Sequence, residues 1–244
     1  MSDDSEKPAK KKSNVSRIFI GIAIFGFVGI VATLAMRFTL FIPFKVPSGS
    51  MWPGVAVGDH IVVNGMDKEA VRGAAMVFKY PEQPRQLFLK RVVGLSGDVI
   101  EVKSKVVTIN GWDVPHCVVG DASYEEAYET NMKHSGELWV EFLDGTAYLV
   151  FHEKNGFGID HQGPFTVKRG EYFVLGDNRE NAHDSRMWNN GMGGGVPFDN
   201  TTGRVRADPT HPKLPKGSEG LQSALDRCLA TPPPVTSPPS ATQH

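Results

Sequence analysis

At 244 residues, with 40% apolar and 22% charged residues, the chain is long enough for one large or two small folded domains, and its formal net charge of -1 offers no global field for nucleic acid. Two cysteines, Cys117 and Cys228, exclude a disulfide framework and zinc-finger spacing, and their positions alone do not say whether they pair. His, Cys and carboxylate residues show no ligand spacing, so neither a metal nor an organic cofactor is implied.

Charge placement is more informative than the total. Lys7, Lys10, Lys11, Lys12 and Arg17 crowd the residues before an uncharged run of 19, Ile18 to Met36. A bilayer-spanning helix needs about 20 mostly apolar residues. The run therefore reads as a single transmembrane helix (18–36) after a basic cytoplasmic tail (1–17). A cleavable signal peptide competes, because Thr33-Leu34-Ala35 supplies small residues, although a signal core is usually about 7–15 residues. A buried core helix is the third reading. The positive-inside bias places residues 1–17 in the cytoplasm and exports everything after Met36. The lipid bilayer is thus an expected partner. Phe38 to Phe44 stays apolar and reads as the start of a buried strand or as a contact with the bilayer surface.

From residue 46 onward no long helical periodicity is found. Short β-branched and aromatic runs recur between Gly, Asn, Asp and Pro, an all-β pattern. Strands are expected at His60–Asn64, Gln86–Val93, Asp98–Val102, Lys105–Ile109, Leu138–Phe142, Ala147–Phe151 and Glu171–Leu175. Asn110-Gly111 and Asp144-Gly145 are hairpin-turn pairs. Tyr124 to Met132 is polar and reads as a short helix or loop. The exported β-rich domain is expected to cover 37–207, with about 104–168 as an insertion. Residues 208–244 form a Pro-rich tail, disordered or extended, in which Leu221 to Leu229 has room for one short helix.

The chemistry candidates are a serine, a lysine and a turn-rich block. Pro47-Ser48-Gly49-Ser50-Met51 lies 14 residues past Met36 and is loop-like in composition. A serine hydroxyl needs a base to act as a nucleophile. None of the eight histidines sits in a Ser/His/Asp signature, and no G-x-S-x-G elbow occurs. Lysine serves as a base only when neutral, so burial must depress its pKa from about 10.4. Lys90 lies among Leu87, Phe88, Leu89, Val92 and Val93, and in a strand it and Arg91 point to opposite faces. The plain alternative is a surface Lys-Arg pair. In the block Gly176–Arg186, Asp177, Arg179, Asp184 and Arg186 also fit surface salt bridges on a turn.

Taken in order, these blocks closely resemble the bacterial type I signal peptidase family. The matches are Pro47–Pro53 with Gly58-Asp59 and Ile61–Asn64, then Val77-Phe78 to Pro81, then Leu89–Asp98, and last Gly176–Arg186. They cover roughly 45–110 and 170–206, and the ordered combination is far more specific than any single block. The resemblance implies a mainly β catalytic domain with a smaller inserted β region. It implies a serine endopeptidase at the outer face of the cytoplasmic membrane that removes signal peptides from preproteins after small-x-small motifs. Ser50 would be the nucleophile and neutral Lys90 the general base. The Ser50 backbone N–H and the Ser48 hydroxyl would hold the oxyanion. Val46, Pro47, Phe88 and Leu89 would bind the extended substrate. Asp177 with Arg91, and Asp184 with Arg186, would form supporting ion pairs. Preprotein signal peptides are the implied partners, with the export translocon as a further candidate.

The chain departs from the family pattern at several positions. Ala182 stands where the family often has a serine that orients the lysine amine. Trp52, Gly54, Ser96 and Ala74-Ala75 replace commoner residues without removing a proposed catalytic atom. Ala182 keeps two alternatives open. One is a specialised or weakened relative with few substrates, of pilus or conjugation type. The other is a non-catalytic, membrane-anchored β binding domain.

Overall fold

A computed structural model describes residues 14–126, 132–154, 161–206, 212–234 and 236–239. The chain divides into two units, Met1–Phe41 and Ile42–His244. In the first, α1 runs Asn14–Leu40, and its described side chains, Ile18 to Val31, are all exposed. Among the described residues no helix is long and apolar enough to cross a membrane. Lys7, Lys10, Lys11 and Lys12 lie outside the described residues.

The second unit is mainly β, as expected. Its strands are β1 (Phe41–Lys45), β2 (His60–Asn64), β3 (Ala75–Lys79), β4 (Leu87–Gly94), β5 (Val99–Lys103), β6 (Val106–Ile109) and β7 (Trp112–Asp113). There follow β8 (His116–Glu126), β9 (Met132–Leu143), β10 (Thr146–Glu153), β11 (His161–Thr166), β12 (Glu171–Leu175), β13 (Val196–Pro197) and β14 (Thr201–Val205), then α2 (Gln222–Ala230). They form a seven-stranded sheet in the order β1-β2-β14-β3-β4-β12-β13, a four-stranded sheet β11-β5-β6-β7 and a three-stranded sheet β10-β9-β8. The described pairings within them are antiparallel.

Local chemistry accounts for the hairpins. Asn110 and Gly111 both adopt left-handed backbone, φ 55° and 77°, and join Ile109 to its partner Trp112. Asp144 and Gly145 do the same at φ 47° and 75° between Leu143 and Thr146. Two consecutive positive-φ residues give the twist that a two-residue hairpin needs.

Two expectations are corrected. Tyr124 to Glu126 is neither helix nor loop but the end of β8, paired with β9 as Tyr124↔His134 and Glu125↔Lys133. Residues 127–131 lie outside the described ones. The tail is also not simply disordered or extended. In its described part α2 buries Leu225 and Cys228 in an apolar cluster with Val119, Leu138, Val140, Phe151 and Trp52. Cys228 is disulfide-bonded to Cys117 on β8, with the Cα atoms 5.8 Å apart. Farther along, the Thr236 carbonyl accepts the Asp144 N–H (2.7 Å) and the Pro239 carbonyl accepts from Asn110 Nδ2 (2.9 Å), so the tail crosses both hairpin turns. Apolar burial of α2 outweighs the extended bias of the prolines around it.

The disulfide spans 111 residues, a loop for which chain-entropy arguments give a contribution of about 4–5 kcal/mol. Replacing both Cys117 and Cys228 by Ser is therefore expected to lower unfolding free energy by a few kcal/mol. Denaturant midpoints of the wild type with and without reductant should differ likewise, while the double variant should be insensitive to reductant.

Candidate active site

From Leu89 onward β4 is buried on both faces, with Arg91 half-buried. Leu89 packs into a cluster with Val46, Met51, Val63, Ala75, Val77 and Val205, while Lys90, on the opposite face, is only 5% exposed. The Lys90 amine reaches the short 3₁₀ turn Gly49–Met51, donating to Ser50 Oγ at 2.7 Å and to the Leu89 carbonyl at 3.1 Å. Ser50 is itself buried, and its hydroxyl lies 3.2 Å from that of Ser48. Burial pushes the Lys90 amine down to about 8, against the opposing pull of the Asp184 and Asp177 carboxylates. An amine near 8 is substantially neutral in mildly alkaline solution, which an exposed lysine is not.

Each nearby carboxylate has its own cation. Arg91, on the other face of β4 from Lys90, makes a bidentate pair with Asp177 (2.7 and 2.6 Å), donates to the Gly73 carbonyl and stacks over Tyr148. Arg186 forks onto Asp184 through Nε and Nη2, both at 2.8 Å. Asp184 also accepts the Gly176 N–H at 2.9 Å. Paired carboxylates attract the Lys90 proton less than free ones would, so burial prevails at the amine.

The block 176–186 is fitted against the serine turn at backbone level. The Asn178 N–H donates to the Ser50 carbonyl (3.2 Å), and residues 177–179 bridge in parallel to Phe151 of β10. Gly176 has no room for a side chain, since a Cβ there would lie 2.3 Å from the Ala182 Cβ and 2.6 Å from the Ser50 carbonyl oxygen. Ala182 brings no hydroxyl to the amine, and the Leu89 carbonyl accepts one of its hydrogens instead.

The serine and lysine open on a cleft of about 1030 Å³. Val46, Pro47, Phe88 and Leu89 all line it, as do Gln86, Leu87 and His183. Its wall contains a strand edge. β3 pairs with β4 over Leu87–Arg91, but on the other side β12 meets β4 only from Arg91 onward, since β12 ends at Leu175. The edge of Leu87–Lys90 is thus left without a strand partner among the described residues. An open edge beside a reactive group is suited to an extended peptide that adds as one more strand.

The structure brings Ser48, Ser50, Lys90, Arg91, Asp177, Asp184 and Arg186 together around this cleft. Beneath them lies a second layer, buried where a surface salt bridge of Arg179 was the plain reading, and its carboxylate Glu141 was missed. Arg179 is bidentate to Glu141 of β9 (2.7 and 2.6 Å), with both side chains buried. Burial alone would raise the Glu141 carboxyl, yet the Arg179 guanidinium holds it below the usual range. Tyr124 and Asn178 were missed too. Asn178 stood inside a block already noted, but only the fold shows what its amide reaches. No group of His, Cys, Asp and Glu among the described residues could hold a metal ion.

Comparison with known proteins places the chain. The profile of the family "Signal peptidase, peptidase S26" matches residues 18–208. A Signal peptidase I of Pseudomonas fluorescens is 36% identical over 195 residues, covering 71% of this chain and 66% of that protein. A Signal peptidase I of Pseudomonas aeruginosa is 35% identical over 212 residues, covering 76% and 72%. Among solved structures, a signal peptidase I from Enterococcus faecalis overlaps 57% of this chain and 99% of its own at 23% identity and a TM-score of 0.32. With the family profile spanning most of its length, and relatives this similar, the chain belongs to the signal peptidase family, peptidase S26, a family of serine endopeptidases.

Proposed function

We propose that this chain is a membrane-anchored signal peptidase that cleaves preproteins with Ser50 as nucleophile and Lys90 as general base. The observation that carries this reading is a buried amine 2.7 Å from a buried serine hydroxyl in an open cleft. Neutral Lys90 takes the Ser50 proton as Oγ bonds to the scissile carbonyl carbon. The carbonyl oxygen becomes an oxyanion held by the Ser50 N–H and the Ser48 hydroxyl. Collapse breaks the C–N bond, protonated Lys90 gives its proton to the leaving amine, and an ester to Ser50 remains. Water, deprotonated by Lys90, then attacks that ester, the bond to Ser50 Oγ breaks, Oγ takes the proton back from Lys90, and the signal peptide leaves with a free carboxyl group. Val46, Pro47, Phe88 and Leu89 hold the extended substrate, with small side chains before the scissile bond. Asp177–Arg91 and Asp184–Arg186 keep the surroundings of the amine fixed and charge-balanced.

Ile18–Met36 is proposed as the membrane anchor, with the N-terminus in the cytoplasm and the catalytic unit on the outer face of the inner membrane. The uncharged run and its lysine-rich N-terminal flank support this topology. The Cys117–Cys228 disulfide fits an exported, oxidising location. The bilayer and the export translocon are the further partners of this reading. The Leu89 carbonyl as acceptor for the amine favours an active enzyme over a non-catalytic domain despite Ala182.

Ser50→Ala and Lys90→Met should each abolish cleavage of a preprotein ending in a small-x-small motif, assayed with the full chain in detergent. Loss of about 10³-fold or more is expected, since the two groups act as a unit. Retained turnover in either variant would sink the dyad.

kcat/KM should rise with pH and level off above about 8, the value to which burial brings Lys90. A profile that instead follows one histidine, and is lost when that histidine is mutated, would exclude lysine as the base.

The same burial has a stability cost. The unfolded chain keeps the Lys90 proton up to 10.5 and the folded one releases it near 8, so stability should rise with pH between these values. Below pH 8 the cost is on the order of 3 kcal/mol. Lys90→Met should therefore melt higher than wild type at pH 7, and the difference should shrink toward pH 10.5.

A further inference from the structure

Asn178 is fully buried, and both hydrogens of its side-chain amide are used. One goes to the Gly49 carbonyl at 3.1 Å and the other to the Tyr124 hydroxyl at 2.7 Å. Both partners are oxygens, which fixes the orientation of the amide, because a flip would set Oδ1 against the Gly49 carbonyl. Among the described residues Oδ1 has no hydrogen-bond partner, so the contacts seen for this side chain are those it donates.

The Gly49 carbonyl belongs to the same planar peptide as the Ser50 N–H. In a trans peptide these two groups point in opposite directions. Gly49 O is bound by the Trp52 N–H at 3.0 Å and by Asn178 Nδ2, which fixes that plane from its buried side. The Ser50 N–H is thereby aimed away from the interior. The Asn178 main chain adds a second fastening, from its N–H to the Ser50 carbonyl. The peptides on either side of the nucleophile are thus tied to one residue.

Tyr124 in turn belongs to β8 of the three-stranded sheet. Its ring stacks on Trp52 at 4.4 Å and on His134 at 4.7 Å. Trp52 follows the serine turn directly and meets Phe151 edge-on at 4.7 Å. The sheet therefore grips the turn twice, by the aromatic stack and by the Tyr124–Asn178–Gly49 chain of hydrogen bonds.

We propose that Asn178 is a positioning residue for the oxyanion hole, orienting the Ser50 N–H through the Gly49 carbonyl, and that Tyr124 holds Asn178 in place from the three-stranded sheet. This rests on the Ser50/Lys90 reading above. Neither residue touches the substrate. Both act on how well the Ser50 N–H meets the developing oxyanion.

The test uses the full chain in detergent, with a preprotein substrate and a peptide aldehyde inhibitor. In the aldehyde adduct Ser50 Oγ bonds to the carbonyl carbon, the carbonyl oxygen becomes the oxyanion and the serine proton passes to Lys90, so its affinity reads the hole directly. Asn178→Ala should lower kcat by up to about 10²-fold, the scale of a lost oxyanion donor, with KM little changed. Its aldehyde affinity should fall in parallel, while the apparent pKa of the pH–rate profile stays in place. Tyr124→Phe keeps the ring stack and should lower kcat by about 3–10-fold, as one neutral hydrogen bond allows. Adding Tyr124→Phe to Asn178→Ala should cost nothing further.

The proposal is overturned if Asn178→Ala folds and turns over like wild type, if its loss is confined to KM, or if the two losses multiply. Should Asn178→Ala fail to fold, Tyr124→Phe decides the matter, and wild-type kcat and aldehyde affinity there would overturn the proposal. If Ser50→Ala cleaves like wild type, the dyad itself is wrong. A dead Ser50→Ala beside an unimpaired, folded Asn178→Ala rejects this inference alone.

Discussion

Keeping one amine dry and easily deprotonated is the constraint on which the rest of this structure depends. Lys90 lies within reach of two carboxylates, and either left unpaired would draw a proton onto it. Arg91 and Arg186 answer Asp177 and Asp184 with paired contacts, and Arg179 does the same for Glu141 one layer deeper. Buried pairs like these seldom add much net stability, but removing one partner is costly. Their value here lies in holding a fixed electrostatic setting around a single nitrogen. Gly176 follows from the same crowding, because the chain carrying Asp177 must pass against the serine turn with no side chain between them.

Strand geometry then turns this setting into a site. Consecutive residues of β4 face opposite ways, so Lys90 meets the serine while Arg91 reaches the ion pair behind it. Because β12 stops pairing at Arg91, the residues just before Lys90 keep their hydrogen-bonding edge free. The strand that carries the lysine also offers a backbone for a peptide to pair with. Recognition through backbone is tolerant of sequence and leaves selectivity to the few side chains whose pockets are tight.

Much of this was legible in the sequence, and the exceptions have physical causes. His60–Asn64 and Glu171–Leu175 were readable end to end because they are short, apolar and closed by turn residues. The Asn-Gly and Asp-Gly turns were readable because few other pairs accept two positive φ angles in succession. The apolar neighbours of Lys90 allowed its burial but equally allowed a surface Lys-Arg pair, and only the fold decides for burial. β8 escaped notice because it lies at the edge of its sheet and carries Gly120, Asp121 and Glu125, which blur the alternation. The short helix expected at Leu221–Leu229 is α2, but its docking was masked by the prolines around it. Pairing of Cys117 with Cys228, and the reach of the Asn178 amide, depend on contacts across more than 100 residues of chain, which no local pattern encodes.

The apolar cluster shared by Trp52 and α2 has a consequence in time. Trp52 and Leu225 are 173 positions apart, so at a synthesis rate of about 5–20 residues per second the helix that closes the cluster follows the serine turn by roughly 10–30 s. For that interval the ribosome has released the serine turn but not the packing that steadies Trp52 beside it. A protease born in this way matures from its far end backward, and its cutting edge is finished only after the rest of the catalytic unit has been delivered.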